Sequence, residues 1–365
     1  MRPRVVSLFS GGGGLDLGFK SEGYEIVWAS DNNQDAVATY RANIDDKIIC
    51  ADINQVNVND IPENVDIIIG GPPCQSFSLA GKRNVTDARG QLIWTYLKIL
   101  KHVKPKAFLF ENVLGLLSAK DDSGIKIFDS LCAQFHKIGY HVTAKVLNAA
   151  DYGVPQLRKR VIVVGLRRGE EFQFPQPTHS PDGGPGTYAY VSTSDALASL
   201  PPLMGTAHGS CASKAKRCKE YLDFVCDSPL ADEHDMPPMS QLDCFIASHV
   251  RPGGNYMDLP KDIPSRRVQR LQREGGHTTC YGRLHPDRPS HTINTYFNRP
   301  NVGCNIHYKE DRLITIREAL RLQSFPDSYR LVSRSKAGKC LIVGNAVPPL
   351  LAKSLARQLK RYLQS

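Results

Sequence analysis

Short apolar runs rich in β-branched residues punctuate the first half of the chain, at residues 5–9, 25–29, 47–50, 65–69, 107–110, 142–147 and 161–166. Most are nearly continuous in apolar residues, the pattern of strands buried on both faces. Amphipathic stretches at 92–102 and 125–138 and a helix-like stretch at 15–19 lie between several of them. Strand–helix alternation of this kind predicts an α/β architecture with a doubly wound, mostly parallel sheet. Only a short loop, 148–160, separates the last two runs. That spacing favours an antiparallel pair at the edge of the sheet.

The periodicity fades after Gly169. Pro175, Pro177, Pro181, Gly183, Gly184, Pro185 and Gly186 read as a turn-rich linker. From there to Ile314 the chain reads as a loop-rich second domain with no internal repeat. Two helices follow. Thr315 and Glu318 fit a capping box, and Pro326 lies past the helix end. Pro348-Pro349 opens a last helix, on which Leu351, Leu355, Leu359 and Tyr362 recur at helical spacing as one buried face.

Composition changes this picture only a little. A length of 365 residues suits about two domains. No apolar run approaches the ~20 residues a membrane span needs. With no leader or lipidation pattern, a cytoplasmic protein without membrane contact is expected. Lys and Arg number 46 against 36 Asp and Glu, so the net charge is +10 and a polyanionic partner is favoured. The ten cysteines form no CxxC pair and read as free thiols. Cys211, Cys218 and Cys226, with His208 and His234, have spacings unlike common zinc patterns, so no metal is expected.

Chemistry concentrates at the ends of the predicted strands. Phe9-Ser10-Gly11-Gly12-Gly13-Gly14 follows the first strand and precedes a helix. Glycines there let main-chain N–H groups approach a ligand. Asp31 ends the second strand, where an acid suits ribose hydroxyls. Asp52-Ile53 follows the third. There an acid could meet an adenine amino group or serve only as turn chemistry. Such a loop suits any adenosine-containing cofactor, NAD among them, or a plain tight turn.

Gly70-Gly71-Pro72-Pro73-Cys74-Gln75-Ser76-Phe77-Ser78 follows the fourth strand. Ligands of open α/β sheets sit outside the carboxyl ends of the strands, so Cys74 occupies a chemically useful edge. Its flanking Pro and Gln are unlike the setting of a buried structural thiol. A thiolate is a strong soft nucleophile, which Cys74 can supply if the site helps to ionise it. Residues 78–91 read as a polar loop able to close over a substrate.

The blocks Phe9-x-Gly11-x-Gly13-Gly14, Pro72-Pro73-Cys74-Gln75, Glu111-Asn112-Val113, Gln156-Leu157-Arg158-Lys159-Arg160, Arg317-Glu318-Ala319 with Gln323-Ser324-Phe325-Pro326, and Gly344-Asn345-Ala346-Val347-Pro348 occur in one order. Together they resemble the bacterial-type DNA cytosine-5 methyltransferases of restriction–modification systems. The likeness runs from about Val5 to Leu355.

The resemblance implies S-adenosylmethionine as methyl donor and duplex DNA as substrate. It casts Cys74 as the nucleophile that adds to cytosine C6, Glu111 as the group serving N3, and Arg158 and Arg160 as the basic pair. Of these two, Arg160 more than Arg158 should polarise the O2 carbonyl. It names no base for the C5 proton. Cofactor contacts carry over to Phe9, Ser10, Gly11, Gly13, Gly14, Asp31, Asp52, Ile53, Pro72, Asn345 and Val347; Asp31 stands where many relatives have glutamate. The implied catalytic and cofactor-binding domain is 1–180, completed by 338–365. The implied target-recognition domain and hinge is 181–337.

A base within a duplex must be flipped out to be reached, at a cost of roughly a few kcal/mol. Lys214, Lys216, Arg217, Lys219, Arg266, Arg267, Arg270 and Arg273 could contact phosphates, and a subset could read guanine edges. The block from His285 to Ile293 reads as scaffold more than base readout. The expected enzyme is a monomer that protects host DNA, with a cognate restriction endonuclease acting separately. A tRNA substrate and a catalytically idle regulator are the competing readings.

Overall fold

The apolar runs of the first half form a seven-stranded sheet. In chain order its elements are β1 (Arg4–Leu8), α1 (Gly14–Ser21), β2 (Glu25–Asp31), α2 (Gln34–Asn43), β3 (Ile48–Cys50), β4 (Ile67–Gly70), α3 (Gln91–Val103), β5 (Ala107–Asn112), α4 (Ile127–Lys137), β6 (His141–Asn148) and β7 (Lys159–Leu166). The computed structural model describes residues 1–73, 91–121, 123–203, 216–229 and 232–364. Cys74, residues 78–90, His208, Cys211 and Lys214 lie outside the described residues.

Strand order is β3-β2-β1-β4-β5-β7-β6. The first five strands pair in parallel. β7 runs antiparallel to both β5 and β6, so the antiparallel pair does lie at one edge. The order reverses at β1, whose neighbours are β2 and β4. In an open sheet a ligand crevice forms at such a switch point. The glycine loop leaves β1 there, and Gly70-Gly71 leaves β4 beside it.

The core explains the apolar runs. Val6, Leu8, Ile68, Phe108 and Phe110 are fully buried with Tyr96, Leu131 and Phe135 from α3 and α4. Phe108 lies 4.4 Å, ring to ring, from Phe135. Its cross-strand neighbour is Gly165, where a methyl group would fall 2.0 Å from the Phe108 ring. A side chain at that position would therefore displace the core aromatic.

Chain contacts divide the protein into two units, one of 1–148, 159–176 and 351–365, the other of 149–158 and 177–350. The stretch expected as a linker enters the second unit as a three-stranded sheet, ordered β8-β10-β9. It consists of β8 (His179–Ser180), β9 (Asp182–Gly184) and β10 (Thr187–Ala189). Left-handed Gly186 makes the turn between β9 and β10, and Gly183 is left-handed within β9. Helices α5 (Thr193–Leu197), α6 (Lys219–Val225), α7 (Gln241–His249) and α8 (Arg266–Glu274) follow, then the parallel pair β11 (Gly282–Arg283) and β12 (Cys304–Ile306), then α9 (Ile316–Leu322) and α10 (Lys336–Asn345). A small core of Ile246, Tyr256, Ile263, Val268, Tyr281, Ile306 and Leu313 sits among them.

The expected capping box is present: Thr315 Oγ1 accepts from Glu318 N, and the Glu318 side chain accepts from Thr315 N. Glu318 is also buried against Arg312, which donates to both of its oxygens at 2.7 and 2.9 Å. Burial alone would raise the Glu318 carboxyl; the Arg312 bonds and charge outweigh it and hold the group below its usual range. Arg317 is fully buried and donates to the carbonyls of Asp232, Pro326 and Tyr329. The Arg317-Glu318-Ala319 block is thus structural ballast of the second unit.

The last helix, α11 (Pro349–Leu363), carries Leu351, Leu355 and Leu359 as a buried face. Tyr362 is half-buried, and its hydroxyl accepts from Gln173 N. Tyr24 donates to the Ala356 carbonyl at 2.9 Å, and Arg357 pairs with Glu22 at 3.0 Å. Among the described residues no helix is long and apolar enough to cross a membrane.

Candidate active site

The glycine loop is wound by left-handed residues. Phe9, Gly11 and Gly13 have φ of 56°, 55° and 87°. A bulky residue such as Phe9 in that region is costly and marks a position held for a purpose. Gly13 caps α1, where a methyl group would meet Ile44 at 2.7 Å and Tyr40 at 3.1 Å. At Gly11 a methyl group would meet nothing within 4 Å. One glycine is thus required by packing, while the other leaves open space on the loop.

Asp31 fastens the loop to the end of β2. Its Oδ2 accepts from Gly11 N at 2.8 Å, and its Oδ1 accepts from Asn33 N at 2.9 Å. Burial raises its carboxyl pKa, and the main-chain bonds oppose that rise. Ser10 donates to Ser7 Oγ at 2.9 Å, which ties the loop back onto β1.

A second acid lies behind the loop and was not singled out from the sequence. Asp16 is fully buried in the first turn of α1, with its Oδ1 accepting from the Tyr40 hydroxyl at 2.9 Å. Burial pushes its pKa up to about 6, Tyr40 and Ser7 counteract, and the charge of Asp31 adds to the rise. Neither acid has a Lys or Arg partner among the described residues. Asp52 and Ile53 divide: Asp52 is exposed and accepts from Asn54 N, as a turn residue does, whereas Ile53 is buried in the core.

Of the residues expected to be catalytic, Glu111 and Arg160 meet across β5 and β7. Arg160 Nε lies 2.8 Å from Glu111 Oε1. A methyl group at Gly71 would fall 2.6 Å from Glu111 Oε2, so only glycine admits this carboxylate. Buried Asn112 donates to the Pro72 carbonyl at 3.2 Å and accepts from Val113 N. Glu111 and Asn112 therefore grip Gly71 and Pro72, the residues that lead into Pro73-Cys74. The role of Asn112 went unread, although an amide inside an apolar strand end was its signal.

Arg158 has a different setting. It is buried, donating to the carbonyls of Ile293 and Gly344 at 3.1 and 2.9 Å. Gln156 beside it accepts from Ile293 N and donates to the Leu322 carbonyl. Ser290 and Thr292 donate to the carbonyls of Pro155 and Leu157, so these two residues of the block from His285 brace the backbone. Gly344 touches the backbone of Asn294-Thr295, where a methyl group would fall 2.5 Å away. Asn345 is exposed at the end of α10, and Val347 is buried. His234 is held by Thr315 and the Pro201 carbonyl, and Cys218 is buried.

One face of the second unit is basic. On α8, Arg266, Arg267, Arg270 and Arg273 are exposed while Val268 is buried. Arg270 has a loose pairing with Glu274 at 3.9 Å, both well exposed.

A family model described as C-5 cytosine-specific DNA methylase matches residues 3–361. The chain is 36% identical over 363 residues to the type II methyltransferase M.NgoFVII of Neisseria gonorrhoeae, covering 98% of this chain and 86% of that protein. It is 33% identical over 368 residues to the type II methyltransferase M.FnuDI of Fusobacterium nucleatum, covering 99% and 95%. Among solved structures, a prophage-encoded E. coli protein assigned as a DNA modification methyltransferase superposes with a TM-score of 0.72 at 24% identity over the whole of both chains. The Dnmt2 methyltransferase of S. pombe does so with a TM-score of 0.59 at 19% identity, covering 99% of each chain. At these identities the structural likeness concerns the fold.

Proposed function

The chain belongs to the C-5 cytosine-specific DNA methylase family and is a DNA cytosine-5 methyltransferase, and we propose that it methylates a flipped cytosine in one short duplex sequence through a cysteine–C6 adduct. The observation that carries this reading is the Glu111 carboxylate, seated between Arg160 and Gly71, three residues before Cys74.

Bound S-adenosylmethionine supplies an electrophilic methyl group on a cationic sulfur. The glycine loop suits its adenosine and methionine parts, with Phe9, Ser10, Gly11, Gly13 and Gly14 lining it and Asp31 at the ribose. Two acids with no Lys or Arg partner among the described residues, buried Asp16 and part-buried Asp31, favour a cationic cofactor. They disfavour the pyrophosphate of NAD, because a buried carboxylate repels a nearby anion. Ile53 and Pro72 would flank the adenine, whereas Asn345 and Val347 carry over as cofactor contacts from the family likeness alone; Asp52 has turn chemistry of its own.

In the proposed mechanism Cys74 adds to C6, and negative charge builds on the ring. Glu111, in its protonated form, donates to N3 through the oxygen not held by Arg160, and Arg160 keeps Glu111 in place and polarises O2. Arg158 keeps the scaffold at Ile293 and Gly344. Residues 181–337 would read the sequence, with the α8 arginines on phosphates. The type II names of its relatives support a role in protecting host DNA, and the enzyme would act as a cytoplasmic monomer beside a separate endonuclease.

The test is incubation with labelled S-adenosylmethionine and mixed-sequence duplex DNA, followed by bisulfite mapping. Methylation at one short repeated sequence is expected. Transfer to tRNA and none to duplex DNA would overturn the DNA reading.

A further inference from the structure

Residues 294–303 of the second unit form a loop pinned from within by its own amides. Asn294 Oδ1 accepts from Tyr296 N at 2.8 Å, and Asn294 Nδ2 donates to the Val302 carbonyl at 2.7 Å. Asn305 Nδ2 donates to the Arg299 carbonyl at 2.8 Å. Arg299 N closes a turn onto the Tyr296 carbonyl at 3.0 Å. Phe297 is fully buried as an anchor. The Asn301 carboxamide, turned with its oxygen toward α8, accepts from both terminal nitrogens of Arg267 at 2.7 and 3.3 Å.

So much bracing presents two outward side chains. Tyr296 is 53% exposed, unusual for an aromatic ring on a rigid loop. The Arg299 guanidinium lies over that ring, 5.2 Å from its centroid. The surface continues through Arg267 into the exposed arginines of α8, so its charge complements a phosphate backbone.

We propose that Tyr296 is a stacking platform for a nucleobase of the DNA substrate, and that Arg299 covers its ring in the free protein and moves to a phosphate when DNA binds. This rests on the reading of duplex DNA as substrate. Removal of the target cytosine from the stack uncovers the faces of its neighbours, which supplies a base for the ring. A cation over an exposed ring is worth less than a stacked base, so the exchange runs toward the base. Arg299 is then released with its charge beside the backbone.

The pair makes two separable predictions in one titration. Binding of wild type, Tyr296→Ala, Tyr296→Phe and Arg299→Gln is measured across salt concentrations, on the mapped duplex and on the same duplex with an abasic target. Tyr296→Ala should lose roughly ten- to a hundred-fold in affinity with the salt slope unchanged. Tyr296→Phe, which keeps the ring, should restore it. Arg299→Gln should lower the slope by about 1, the signature of one lost phosphate contact. Wild-type affinity in Tyr296→Ala, or failure of the phenylalanine to rescue, overturns the platform. An unchanged slope in Arg299→Gln overturns the exchange. If wild type itself neither binds nor methylates duplex DNA, the substrate reading has failed instead.

Discussion

Arg160 and Glu111 meet diagonally across β5 and β7, with Nε and Oε1 2.8 Å apart and side chains only 13% and 12% exposed. Glu111 stands opposite Ile162 in the ladder, so Arg160 reaches it from two residues along, a separation long side chains can span. The pair fixes a carboxylate directly over Gly71.

Replacing Glu111 by Gln should therefore lower the rate of methyl transfer by ~10²–10⁴-fold, the usual span for losing a positioned acid. Arg160→Lys keeps the charge but loses the planar donor, and should fall between that variant and wild type. Cys74→Ala should abolish transfer and any denaturant-resistant protein–DNA complex. Full activity in the alanine variant would refute the covalent route.

Arg158 should behave as a structural residue. Truncation to alanine leaves the buried carbonyls of Ile293 and Gly344 without its bonds, at ~1–3 kcal/mol for each unsatisfied group. Thermal unfolding should shift down by several degrees, and the folded enzyme at low temperature should keep more activity than Arg160→Ala. An unchanged unfolding curve with no activity would return Arg158 to the chemistry.

Asp16 has a folded pKa of about 6 against 3.8 for the free group. Folding thus favours its protonated form. Its contribution is complete below 3.8 and is lost as pH rises through about 6, amounting to ~3 kcal/mol at most. Asp16→Asn should unfold at a higher urea concentration than wild type at pH 7.5, and the two midpoints should converge near pH 4. If the charge also draws the cationic cofactor, calorimetry should show weaker binding of S-adenosylmethionine by the asparagine variant at pH 7.5.

DNA affinity should fall steeply with salt, because phosphate contacts by Lys and Arg release counterions. Each of Arg266→Gln, Arg270→Gln and Arg273→Gln should reduce the slope by about 1 where that side chain touches a phosphate. A salt-independent affinity would remove α8 from the interface.

The sheet was legible because strands buried on both faces leave runs with little polar interruption, and Val6, Ile68 and Phe108 are such residues. Short strands such as His179–Ser180 carry no periodicity, and their prolines and glycines read as a linker. Arg158 and Arg160 read as one basic pair only through the family resemblance. The pair divides because β7 starts only at Lys159. Asp16 resembled an ordinary first-turn acid, favourable to the helix dipole; its burial comes from Tyr40 on another helix, which no local pattern reveals. The amides bracing Tyr296 were equally silent, since Asn294 and Asn305 reach main chain several residues away and Asn301 meets a side chain of α8.

The bond from Tyr24 to the carbonyl of Ala356 spans 332 positions of sequence. On the ribosome the seven strands emerge early, yet the wall that covers one flank is made last. At ~5–20 residues per second, synthesis of the intervening second unit takes roughly ten to thirty-five seconds. During that interval the surfaces destined for Leu355 and Leu359 face solvent and nascent-chain chaperones. A competent enzyme thereby waits for the synthesis of α11, and a chain stalled before that helix would carry a complete set of strands with one flank bare.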